Sequence, residues 1–354
     1  MRIVYAGTHS GTCLSRFNAL KSLVPETIFF DIDPYYESSS RLYAFFERMF
    51  FYGPQRIRLN LDFLMFCRKN KPQIIWIDKS IWVWPQILKL LSKDGCYLVH
   101  YNTDALHPRK KMLSWSLLLM RQALPLYDLN VTSNEDDYQQ ALNGGLTAHL
   151  TQLAYDAGRF NNAPLTEAEQ KHWATPIIFI GHYEPRTERF LSAVLDENLP
   201  LKIYGDNWLN SSSAQKYPDA FPKISLSDAD YVKALKGASI AICCVSEWNY
   251  NQTAGRSYEI PATETFLLAY RTQGHERSYI EGKEAEFFST SAELVQKLRF
   301  YLAHQDERRA IANSGWLRCT SDKYTWARYT QDIWRIVERN YDTLSNDSSR
   351  AKPF

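Results

Sequence analysis

The run Phe179-Ile-Gly-His-Tyr-Glu-Pro-Arg186 reads as the end of a buried strand, a glycine turn and the start of a helix. A glycine lets the backbone come close to a phosphate, and a helix N-terminus favours an anion. Arg186 or Arg189 could add a forked contact to a diphosphate. Any α/β protein has turns of this kind, so the run identifies the building unit and not its ligand.

Working outward, the same unit recurs along the chain. Apolar β-rich runs at 177–180, 201–204, 240–244 and 266–269 alternate with helical patterns at 185–196, 229–235, 255–262 and 292–303. Before them, strand candidates at 3–6, 27–30, 74–77, 97–101 and 129–132 alternate with helical stretches around 14–23, 41–50, 61–69, 84–92 and 112–124. Near-continuous hydrophobic strands separated by helices imply parallel sheets covered on both faces. The fold class is therefore α/β, with two Rossmann-like, doubly wound domains. The polar stretch 156–175, with Asn161-Asn162, Pro164 and Glu167-Ala-Glu169, predicts the linker. Two long helices at 306–319 and 324–340 precede a polar tail. Two such domains in tandem, facing across a cleft, would bind a ligand at the carboxyl ends of both sheets.

The segment Asn251-Gln-Thr-Ala-Gly-Arg256-Ser-Tyr-Glu259-Ile-Pro-Ala262 follows the apolar strand that ends in Cys243-Cys244-Val245. It therefore lies at the ligand side of the sheet. A carboxylate in the first turn of a helix can accept both hydroxyls of a ribose, which suits Glu259, and Arg256 could face a phosphate. Gly7-Thr-His9-Ser-Gly11 makes a similar loop in the first domain. Neither loop matches a full dinucleotide or Walker sequence.

The runs RSYEIPA, FLLAY, GKEAEFF and LRFYLAHQDERRAIANSG, with FIGHYEPR and IYGDNW before them, resemble the donor domain of the CgeB-like glycosyltransferases. These belong to the GT-B superfamily and have family 1/4-like donor domains. The likeness covers about 175–330 well, while KPQIIWID and LVHYNTD in the first half match more loosely. It implies an acceptor-side domain at 1–165, a nucleotide-sugar domain at 166–322, a helix at 323–345 that returns to the first domain, and a tail at 346–354. On the donor side it implies Gly181, His182, Tyr183 and Arg186 near the diphosphate, and Glu259 on the ribose. Arg256 and Asn251 would lie beside the leaving phosphate, and Gly205, Thr253 and Tyr258 are further donor-binding candidates. Gly7, His9 and Arg16 fall on the acceptor side. Two positions depart from the pattern: Asn251 stands eight before Glu259, where retaining relatives often have Glu, and Glu264 stands where relatives usually have Gly.

A catalytic base would come from Asp104 or His100, in Tyr97-Leu-Val-His-Tyr-Asn-Thr-Asp104 at the end of a first-domain strand. The plainer reading makes Asp104 a helix cap and His100 a core residue. No metal is implied, because fixed cations and helix termini can stabilise a departing diphosphate. The eight His show no HxxxH or HExxH spacing, and Glu135-Asp136-Asp137 fits a helix N-terminus. No cofactor is expected. The donor would be a UDP-, GDP- or dTDP-linked sugar, and the acceptor a glycan, a lipid-linked glycan or a small molecule.

Net charge is +2, which does not indicate nucleic acid. The balance is nonetheless uneven: 41–121 holds fourteen Lys/Arg against five Asp/Glu, among Phe45, Phe46, Phe50, Phe51, Met112 and Trp115. This pattern fits either a peripheral contact with an anionic membrane or two core helices with solvated ends. Six scattered cysteines without CxxC spacing point to free thiols. The chain shows neither a secretory signal nor a spanning segment, so the expectation is a cytoplasmic protein, with any membrane contact peripheral at the inner face. A glycosyltransferase in surface-polysaccharide synthesis is the leading function. A nucleotide-sugar epimerase and a degenerate, non-catalytic GT-B protein that binds a glycan or a partner subunit are the alternatives.

Overall fold

Ile3-Val-Tyr-Ala-Gly7 and Ile74-Ile-Trp-Ile-Asp78 bury every residue, as strands do when helices cover both faces of their sheet. The structure, a computed structural model, describes residues 1–36, 52–106, 115–222 and 226–346. The chain forms two units: Met1–Gln152 together with the chain from Trp326 on, and Leu153–Thr325.

Unit 1 runs β1 (Ile3–Gly7), α1 (Gly11–Leu23), β2 (Thr27–Asp31), α2 (Pro54–Asn70), β3 (Ile74–Asp78), α3 (Pro85–Lys93), β4 (Tyr97–Asn102), α4 (Trp115–Ala123), β5 (Leu129–Thr132), α5 (Glu135–Asn143) and β6 (Ala148–Leu150). Its sheet is wholly parallel, in the order β2-β1-β3-β4-β5-β6. Chain direction across the sheet therefore reverses between β1 and β3. Such a switch point opens a crevice at the carboxyl edge of the strands.

Unit 2 runs α6 (Glu167–Trp173), β7 (Thr175–Ile180), α7 (Pro185–Asp196), β8 (Leu201–Tyr204), α8 (Ser212–Lys216), α9 (Asp228–Gly237), β9 (Ala238–Cys243), α10 (Arg256–Ala262), β10 (Phe266–Tyr270), α11 (Gln273–Ser278), β11 (Glu286–Phe288), α12 (Ser291–Ala303) and α13 (Gln305–Ser321). Its parallel sheet has the order β11-β10-β9-β7-β8, with the switch point between β7 and β9. The last helix, α14 (Trp326–Asn346), packs on α1 of unit 1. Tyr341 sets its ring edge-on against Tyr97, with centroids 6.3 Å apart.

The division differs from the expected one at residue 165. Residues from Leu153 onward go with unit 2: Arg159 pairs with Asp228 at 3.1 Å, and Phe160 meets Tyr231 edge-on. Lys236 Nζ donates to Asn161 Oδ1 and to the Ala163 carbonyl. The expected linker also contains α6, closed by a Thr166–Glu169 capping box. Its polarity reflects paired groups rather than a solvated tether. β6 and β11 escape the sequence reading because three residues each give no periodicity. The helix expected at 41–50, the first residues of that at 112–124 and the tail beyond 346 lie outside the described residues.

Candidate functional site

Two turns meet at the carboxyl edge of the unit 2 switch point: residues 181–184 after β7, and the loop 244–255 after β9. The Gly181 amide donates to Tyr204 O at 2.9 Å, and Trp208 Nε1 donates to Gly181 O at 2.7 Å. Gly205 has φ +129°, and a Cβ there would lie 2.2 Å from Gly181 O. Gly205, expected among the donor-binding residues, is therefore a packing glycine that lets two turns touch. At Gly181 a Cβ would sit 2.9 Å from the Phe179 ring and 3.3 Å from Arg256 Nη2, so the Arg256 side chain reaches this turn.

Glu184 ties the two loops together. Its carboxylate is buried and accepts from Ser246 Oγ at 2.7 Å and from the Glu247 amide at 2.8 Å. His182 Nε2 lies 3.1 Å away on the exposed side. Burial alone would raise this carboxyl; the contacts from His182, Ser246 and Glu247 outweigh it and hold the group below the usual carboxylate range. Arg186 donates through Nη2 to Val245 O at 2.7 Å and lies over the Tyr270 ring at 4.6 Å. It too binds turn to loop, where the sequence suggested a diphosphate contact. Tyr183 donates its hydroxyl to Glu188 at 2.9 Å and packs edge-on against Trp208.

Glu259 stands in the first turn of α10, buried, and accepts a 2.5 Å bond from Tyr231 Oη. Burial raises its pKa, opposed by the Tyr231 bond and by the charges of Arg256 and Arg159. Tyr231 lies on α9, 28 residues earlier, and nothing local in the sequence marks it. His275 is a second supporting residue that the sequence did not reveal. It is wholly buried and lowered to about 4 by that burial, so its ring is neutral. Its Nδ1 faces Tyr270 O at 2.7 Å and therefore carries the proton, and Nε2 accepts from Ser257 Oγ at 2.7 Å. Ser257 in turn accepts from the Ala254 amide at 2.9 Å, which fixes the approach to α10. Asn251 and Thr253 are partly buried on that approach. Tyr258, expected beside the donor, is instead buried against Tyr279 and Tyr324.

In unit 1 the expected residues separate. Gly7 is a packing glycine, since a Cβ there would lie 2.5 Å from Cys13 Sγ. His9 donates its amide to Asp33 at 2.9 Å and rests on Phe29. Arg16 is withdrawn from any acceptor: its side chain is 1% exposed and pairs with Asp78 at 2.7 Å. It is held between the Tyr101 and Trp326 rings at 4.5 and 4.7 Å. His100 is also withdrawn, buried beside Tyr127 and lowered to about 4 by burial. A group that stays neutral and buried cannot take a proton from a substrate. Asp104 is about half exposed after β4 and pairs with Lys79 at 3.0 Å. Asp137 does cap-region work in α5, accepting from the Leu106 amide at 2.7 Å.

Among the described residues no cluster of three or more His, Cys, Asp or Glu could hold a metal, and no helix is long and apolar enough to cross a membrane. All six cysteines are buried and free.

Residues 186–335 match a family model described as glycosyl transferase-like. No curated protein matches the chain. Among solved structures, sucrose-phosphate synthase from Thermosynechococcus elongatus aligns over 97% of this chain and 100% of its own, with a TM-score of 0.72 and 12% identity. HepE of Anabaena, solved with UDP and glucose, aligns over 96% and 100%, with a TM-score of 0.65 and 12% identity. A putative UDP-N-acetylglucosamine 2-epimerase from Listeria monocytogenes aligns over 97% of each chain, with a TM-score of 0.60 and 10% identity. The two parallel sheets with their helices are thus an α/β fold of the GT-B type, and the stretch 186–335 is similar to glycosyl transferase-like domains. The narrower CgeB-like likeness rests on the sequence runs alone.

Proposed function

We propose that this chain moves a sugar from a nucleotide-sugar donor to an acceptor hydroxyl, with the donor held by unit 2. The observation that carries the reading is Glu259, fixed by Tyr231 at the carboxyl edge of the switch point with Arg256 close by. A carboxylate suits the two ribose hydroxyls and a guanidinium suits the diphosphate. The family match spans Tyr231, Arg256 and Glu259, and the complexes of HepE with UDP and glucose support the donor class. In this reading the 181–183 turn with His182, and the Asn251–Thr253 approach, flank the diphosphate. Fixed cations replace a metal.

The acceptor is assigned to unit 1, with Gly7 and His9 on its side. Asp104 is the base if transfer inverts, since His100 is buried. A lipid-linked or surface glycan is the proposed acceptor class. The outer face of α2 supports it: Leu61 and Met65 are 49% and 59% exposed, beside exposed Arg58, Arg68 and Lys69. Such a face suits an anionic membrane surface. Retention on vesicles containing anionic phospholipid, lost in a Leu61→Glu/Met65→Glu variant, is the expected result; no retention by the wild type discards the contact. Phe45, Phe46, Phe50 and Phe51, with Met112 and Leu113, also expected on that face, lie outside the described residues.

The central test is a thermal-shift panel of UDP-, GDP-, dTDP- and CMP-sugars. Ligand at about 100 times its Kd adds roughly 2.7 kcal/mol and raises Tm by a few degrees. A shift with one nucleotide class names the donor; no shift with any favours the non-catalytic alternative. The epimerase neighbour motivates a second reading, distinguished by its product: an epimerised sugar nucleotide formed without acceptor.

A further inference from the structure

Buried polar side-chain atoms in folded proteins almost always have a hydrogen-bond partner, and each exception asks for an explanation. Among the described residues of unit 2, two such atoms have none: Glu247 Oε2 and Arg256 Nε. Glu247 lies in the loop after β9 and Arg256 is the first residue of α10, both at the carboxyl edge of the sheet. The unpartnered atoms of unit 1 differ in kind. They belong to Arg16, Trp76, Asp78, His100, Tyr101 and other residues buried as a whole, which nothing from outside can reach. Glu247 and Arg256 remain partly exposed while burying the atom concerned.

The backbone around them is held firmly. Glu184 Oε2 accepts the Glu247 amide, and Glu184 Oε1 accepts Ser246 Oγ, which itself accepts from the Trp248 amide at 3.2 Å. Tyr250, three residues on, sits at φ +53°, a left-handed conformation that costs a non-glycine residue about 1 kcal/mol or more. Strain of this order persists where the surroundings impose it, and it gathers at binding sites. Arg256 Nη2 meanwhile approaches Gly181 in the same β7 turn that carries Glu184.

The two orphaned atoms are complementary in chemistry. A guanidinium N–H donates, and suits a phosphate oxygen. A carboxylate oxygen accepts, and suits a hydroxyl. We infer that Glu247 accepts a hydrogen bond from a hydroxyl of the transferred sugar, and that Glu184 is the positioning residue that aims it. The inference rests on the proposed donor site and extends it: the donor is a nucleoside diphosphate sugar with a free hydroxyl at the position facing Glu247. A site built to bond a hydroxyl discriminates strongly against an analogue without it, because its own polar group is left unpaired.

The experiment compares nucleotide with nucleotide sugar in wild type, Glu247→Gln and Glu184→Gln, using UDP and UDP-glucose, GDP and GDP-mannose, then dTDP and dTDP-glucose, in isothermal titration. Failure of all six probes on the wild type overturns the donor site itself, and the inference with it. If one pair binds, the quantity read is the ratio of the two dissociation constants within that pair. Glu247→Gln should leave the bare nucleotide within about twofold and weaken the sugar form at least tenfold, as expected for loss of a charged hydrogen bond. Glu184→Gln should shift the same ratio in the same direction, and by less. A ratio within twofold of wild type in Glu247→Gln overturns the inference while leaving the nucleotide site intact. An unchanged Tm for both variants separates these outcomes from misfolding, and a variant that loses nucleotide and sugar forms equally counts against the assignment.

Discussion

The two units share a sheet topology and use its switch point in opposite ways. At the β1/β3 switch of unit 1, the chain fills the crevice with its own side chains. Arg16 lies flat between Tyr101 and Trp326, with its charge met by Asp78, which also accepts from Tyr5 Oη at 2.6 Å. At the β7/β9 switch of unit 2, Glu184 fastens two loops, and partly exposed charged residues border the crevice. Identical topology thus predicts where a ligand can sit but not whether one does; that depends on which side chains occupy the edge.

Breaking the closed switch point should give the largest effect. Arg16→Ala leaves Asp78 charged and unpaired in the interior and should cost about 3–5 kcal/mol by denaturant unfolding. An Arg16→Met/Asp78→Leu double variant should recover much of that loss. A loss under 1 kcal/mol for the single change would mean that water reaches the pair.

Acid should weaken both units. His100 and His275, one in each, are held neutral down to about 4 by burial, against 6.5 for an ordinary imidazole. Between pH 6.5 and 4 the unfolded chain binds protons that the folded chain refuses, so stability falls as pH falls. The slope is about 1.4 kcal/mol per pH unit for each imidazole at most. His100→Phe should remove the share of unit 1 from a pH-dependent unfolding series, and an unchanged slope would show that His100 is not buried neutral.

Opening the other switch point should be felt in binding. Glu259→Ala should lower nucleotide affinity about thirtyfold, roughly 2 kcal/mol, while the fold persists; unchanged affinity would remove Glu259 from the ribose. Tyr231→Phe should cost about 1 kcal/mol or less in the same titration. Because burial raises the Glu259 pKa, the apo protein gains from its protonated form below the ordinary carboxyl range and loses that gain as pH rises through the raised value. Nucleotide affinity should therefore rise with pH over the same window, and Glu259→Gln should abolish that rise.

The smallest effect lies at Glu264. It adopts φ +58°, which explains why glycine would be usual there, and it accepts from Asn162 Nδ2 at 3.1 Å. Glu264→Gly relieves left-handed strain but gives up that contact and loosens the unfolded chain. The net change should be a gain of about 0.5 kcal/mol by denaturant unfolding, and a loss would show that the Asn162 contact outweighs the strain.

Of the candidate site, Glu259 and Arg256 were legible because a strand end, a loop and a helix start are local features. Arg16, His100 and Tyr258 were misread for the converse reason. Each is polar or aromatic and lies in α1, β4 or α10, elements that lead to or from the carboxyl edge of a sheet; exposure there would make it functional, and only packing against distant residues buries it. Arg16 is covered by Trp326, over three hundred residues away in the chain. Gly205 read as a donor-binding glycine, and it lacks a side chain because the Gly181 carbonyl occupies the space.

From the sequence alone came the alternation of apolar runs and helices, hence two parallel α/β units, and the strand-loop-helix segment that carries Arg256 and Glu259. Hydrophobic periodicity and turn residues are encoded within a few positions, so they can be read without the fold. Which switch point is filled by a buried ion pair and which is bordered by partly exposed charged residues was decided by tertiary structure. It depends on Asp78 meeting Arg16, on Glu184 meeting Ser246 and Glu247, and on Tyr231 meeting Glu259. Those partners lie 28 to 63 residues apart and come together only when the sheets assemble.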